Sequence, residues 1–75
     1  MKNLINKIST IADRFAATKN RTEQRQLMES FIEAAQTAIA RPDCSPDYRS
    51  WLREMLPVIK SDLNRIKEID MMYDN

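Results

Sequence analysis

The chain contains no glycine, and its three prolines, Pro42, Pro46 and Pro57, all lie between residues 42 and 57. Glycine is the residue that enters left-handed turns and two-residue hairpins at no steric cost. Without it a β-rich fold is disfavoured, and so is the glycine-rich loop that cradles a nucleotide phosphate. What remains is helix. We therefore expect an all-α protein: a small antiparallel three-helix bundle over residues 1–75, a single helical domain.

The first helix is expected over residues 3–18, where Leu4, Ile8, Ile11 and Phe15 recur at helical spacing and Asn3 stands where a cap belongs. Thr18-Lys19-Asn20 ends it without a glycine or proline stop. The second helix runs from Arg21 to Ala40. Asn20 followed by Glu23 approximates a capping box, and the buried stripe is Leu27, Phe31, Ala34, Ala35 and Ala38, flanked by Met28, Ile32 and Ile39. Arg41-Pro42 closes it, because the residue before proline is pushed out of helical geometry.

Ser45-Pro46-Asp47 opens the third helix. Serine caps, proline occupies the first helical position, and aspartate favours the helix dipole. Apolar residues then continue in phase from Tyr48 and Leu52 through Met55, Ile59, Leu63, Ile66 and Ile69 to Tyr73, straight across Pro57. A mid-helix proline costs about 3 kcal/mol. No turn residues accompany this one, so a long helix kinked at Pro57 is preferred over a break into a fourth helix. A continuous helix would outrun its neighbours and leave Ile66, Ile69, Met72 and Tyr73 to be covered by something else, most simply a second copy of the chain.

With one cysteine, Cys44, and no histidine, neither an internal disulfide nor a zinc site is available to staple so short a chain. Proton transfer near neutral pH lacks its usual residue. Glu29 and Glu33, one turn apart, read as solvated acids. No enzyme activity, cofactor, metal or small-molecule substrate is expected. With 12 basic and 11 acidic residues, no net field attracts nucleic acid. The amphipathic, acid-poor first helix faintly resembles a transit or membrane-surface segment. No run is long and apolar enough to cross a membrane, and the unpaired cysteine fits the cytoplasm.

Two surfaces stand out. Trp51 and Leu52 lie about 100° apart on the third helix, so both cannot point into one core. Trp51 is the candidate interface anchor, with Arg49 and Arg53 as its rim. The interface candidates are Trp51, Met55, Ile66, Ile69, Met72 and Tyr73. The second surface is basic: Arg14, Lys19, Arg21 and Arg25 surround the first turn, where Lys60, Arg65 and Lys67 would pass, and they are the candidates for phosphate contact.

The segment Arg49-Ser50-Trp51-Leu52-Arg53-Glu54, with Leu56 after it and Pro46-Asp47 before it, resembles part of the theta subunit of bacterial DNA polymerase III. That family is short, three-helix and accessory, and binds the proofreading exonuclease subunit. The likeness is confined to this segment. The first helix, the alanine-rich second helix and the tail after Pro57 depart from the family pattern, so no binding residue is carried over. The function expected is that of a non-enzymatic helical accessory or regulatory module acting by protein–protein contact, with a homodimer among the possibilities. Nucleic-acid binding through the basic end is the alternative.

Overall fold

The structure, a computed structural model, describes residues 1–73, the side chains of Asp70 and Tyr73 excepted. It is an antiparallel bundle of three helices, α1 (Lys2–Ala17), α2 (Arg21–Ala40) and α3 (Pro46–Tyr73). No strand occurs among the described residues.

Each turn is held by polar groups that the sequence places there. At the first, the Thr18 amide donates to the Arg14 carbonyl at 2.9 Å and closes α1. Asn20 caps α2 by accepting from the Glu23 amide at 3.0 Å. The expected reciprocal arm of the capping box is rerouted. The Asn20 amide donates to Thr18 Oγ1 at 3.2 Å, and the Thr18 hydroxyl donates to the Glu23 carboxylate at 3.0 Å. Threonine thus relays what the glutamate would otherwise do alone. No side chain caps α1; Asn3 lies inside the helix, and Met1 occupies the cap position.

At the second turn Ser45 Oγ accepts from the Tyr48 amide at 3.3 Å, starting α3 as expected. The Arg41 guanidinium grips Asp43 through two bonds of 2.9 and 3.0 Å, and the Met1 ammonium reaches the same carboxylate at 3.2 Å. The Arg41 hydrogen bond holds the Asp43 carboxyl well below its ordinary range, and the ammonium adds to the effect. Arg49 is not a free rim residue. It lies half-buried and donates to the Arg41 carbonyl at 2.9 Å, where the C-terminal end of α2 favours a cation.

Helix α3 runs unbroken through Pro57, which resolves the choice between one helix and two. Pro57 is exposed. The Arg53 carbonyl that lost its donor therefore faces water rather than the core, which limits the cost.

The core is a cluster of Ile8 and Ile11 from α1, Phe31, Ala34, Ala35 and Ala38 from α2, and Leu52 from α3. Met28, Cys44 and Leu63 are also buried. Leu27, expected in the stripe, is only half-buried, while its neighbour Met28 is buried. The reason is its place between the outer helices: Leu27 faces an open recess between α1 and α3. Helix α2 packs against both other helices, but among the described residues no close backbone contact joins α1 to α3.

Candidate interaction site

That missing contact creates the most distinctive surface of the molecule. Between α1 and α3 lies an apolar groove of about 240 Å³. Helix α1 contributes Ile11, Ala12 and Phe15 to its wall, and α3 contributes Trp51, Met55 and Ile59. Leu27, Met28 and Phe31 of α2 form the floor. Not one lining residue is polar.

The groove follows from the sequence of α2. Towards its C-terminal end that helix offers Ala34, Ala35 and Ala38, and there the side chains of α1 and α3 close over it: Ile8 and Leu52 are sealed from solvent. Towards its N-terminal end the floor changes to Phe31, Met28 and Leu27. These large side chains prop the outer helices apart, so the space above them stays open. The volume falls below the ~300–1,000 Å³ usual for small-molecule sites, and a polar group to orient a ligand is lacking.

Trp51 stands on the rim at 44 % exposure and stacks on Tyr48, with ring centroids 5.8 Å apart. Leu52, its neighbour, is wholly buried. Burial also pushes the Tyr48 phenol above its ordinary value. Exposed Val58, at 53 %, extends the apolar flank of α3 beyond the groove.

The remaining interface candidates separate into two sets. Ile66 and Ile69 are half-buried, not left bare as helix length alone implied, because α2 runs alongside that part of α3 and Glu29 pairs with Lys67 at 3.5 Å. Further along, Met71 is 72 % exposed and Met72 is 77 % exposed. The Tyr73 side chain lies outside the described residues. Met55 is at the groove and Met72 is on the overhang, about 25 Å further along the helix.

The basic candidates sit as expected at the first turn. Arg14, Lys19 and Arg21 are exposed and Arg25 is half-buried. Arg14 shares a shallow polar cleft with Asn20 and Glu23, and Arg21 and Arg25 each interact with other groups of the chain. Lys67 is occupied by Glu29. Among the described residues no group of acidic, cysteine or histidine side chains is placed to hold a metal ion, and no helix is long and apolar enough to cross a membrane.

The groove was only partly legible in the sequence. Helical spacing marks out Trp51 and Met55, but Phe15, Leu27 and Ile59 have the spacing of ordinary core. The available signal was the change from large to small residues along α2. Comparison with family models, curated proteins and solved structures finds no match.

Proposed function

We propose that this chain is a non-enzymatic helical module that acts by protein–protein contact, and that a partner's apolar side chains enter the groove beside Trp51. The observation that carries the reading is the groove itself: an open, wholly apolar recess with a half-exposed tryptophan on its rim. Aromatic anchors beside well-packed recesses dominate the energetics of protein interfaces. A recess of this kind in contact with water is unfavourable until something covers it.

The experiment compares the immobilised chain with its Trp51→Glu variant, both first shown to be folded by circular dichroism. Each is challenged with the untagged chain and with extract of the source cells. A protein retained saturably by the wild type, then rebound in purified form about 10-fold or more weakly by the variant, is the expected result. A wild type that retains nothing more than Trp51→Glu retains refutes the reading.

A further inference from the structure

We infer that the partner is a second copy of this chain, bound through α3 in an antiparallel, two-fold arrangement centred between Asp62 and Arg65. This rests on the protein–protein reading and adds the partner, its direction and its register.

The outer flank of α3 carries a heptad pattern. Tyr48, Met55, Asp62 and Ile69 occupy one set of positions, and Trp51, Val58, Arg65 and Met72 the other. The flank is apolar except at its middle. Val58, Arg65 and Met72 are exposed, and Met55, Asp62 and Ile69 are half-buried. Among the described residues neither Asp62 nor Arg65 makes an ion pair within the chain.

This charge pair selects the occupant. In a parallel pairing of two α3 helices, like positions meet, so Asp62 would face Asp62 and Arg65 would face Arg65. Turned antiparallel, the two sets of heptad positions meet each other. Asp62 then faces the second copy's Arg65, twice by symmetry. In the same register Val58 meets the second copy's Ile69, and Met55 meets its Met72. Sliding by one heptad would instead set Asp62 against Val58 and Arg65 against Met55, leaving four charges unpaired.

The same register joins two features that lie too far apart to cover one another within a chain. The overhanging Met72 of each copy reaches the groove of the other, where its unbranched side chain suits an irregular apolar recess. The flank of α1 beside the groove is small as well as exposed, with Ser9, Ala12 and Ala16, so a neighbouring helix can approach it closely.

The test uses Asp62→Arg and Arg65→Asp, each made in the full chain and checked for folding by circular dichroism. Masses come from sedimentation equilibrium, alone and in equimolar mixture. The wild type dimerises, and each variant alone dimerises about 30-fold or more weakly, because both symmetric pairs become repulsive. The mixture regains the dimer, since one chain then presents only arginines and the other only aspartates. A second measurement oxidises Val58→Cys/Ile69→Cys in a Cys44→Ala background. Those positions lie about 16 Å apart in one chain, beyond the roughly 7 Å limit of a disulfide, so a covalent dimer that neither single-cysteine variant forms reports the antiparallel register.

A mixture that remains monomeric, or a Val58→Cys chain that cross-links by itself, overturns the register. A wild type that is monomeric throughout overturns self-association, while retention of another protein through Trp51 would leave the interaction reading standing.

Discussion

Replacing Pro57 with alanine should stabilise this protein, and the size of the gain can be reasoned from its position. Pro57 is on the solvent side of an unbroken α3, so its ring contributes nothing to the buried cluster that alanine would forfeit. Alanine restores an amide donor for the Arg53 carbonyl and removes the clash of the ring with it. In a helix interior the difference is about 3 kcal/mol. Against it stands the greater freedom of the unfolded chain, about 0.4–1 kcal/mol. The net gain is about 2–3 kcal/mol, which in a domain of this size raises the melting temperature by about 10–20 °C. Urea unfolding followed by circular dichroism, at concentrations where the chain is monomeric, measures it directly. An unchanged or lowered midpoint would refute the reasoning. It would mean that a bend at Pro57 is what lets the far half of α3 follow α2 and bury Leu63, so that straightening the helix loses more packing than the new hydrogen bond returns.

Two further outcomes follow from the core. Leu52→Ala should cost about 2–5 kcal/mol in the same assay, because the side chain is fully buried among the alanines of α2 and leaves a cavity, whereas Val58→Ala, at an exposed site, should stay within about 0.5 kcal/mol. Tyr48 should ionise above the ordinary tyrosine value of about 10, chiefly because burial disfavours the phenolate. The folded state holds that proton more tightly than the unfolded state. Its contribution to stability is therefore complete below the ordinary value and is lost as pH rises through the raised one. Spectrophotometric titration of the wild type against Tyr48→Phe checks this: the late transition should vanish in the variant, and one that persists would assign it elsewhere.

Much of the architecture is legible in the sequence because it is written in local chemistry. Absent glycine, the Asn20 and Ser45 caps and Pro42 set two turns and three helices, and α2 and the start of α3 lie where these signals put them. Boundaries were softest at α1, whose start has no side-chain cap. The capping relay through Thr18 is not readable from the sequence, since it depends on which hydroxyl the turn brings within reach of Glu23.

For the interaction surface the division is sharper. Periodicity alone established that Trp51 and Leu52 diverge and that α3 stays in phase across Pro57, because each is a matter of angle along one helix. Which large side chains remain uncovered is a matter between helices. Phe15, Leu27 and Ile59 have the same local pattern as sealed residues, and only the packing shows that Leu27, Met28 and Phe31 hold α1 and α3 apart while the alanines let them close. Likewise Ile66 and Ile69 read as overhang by length but are half-covered, because how far α2 runs beside α3 depends on the register of the two helices, and that is decided by the core they share.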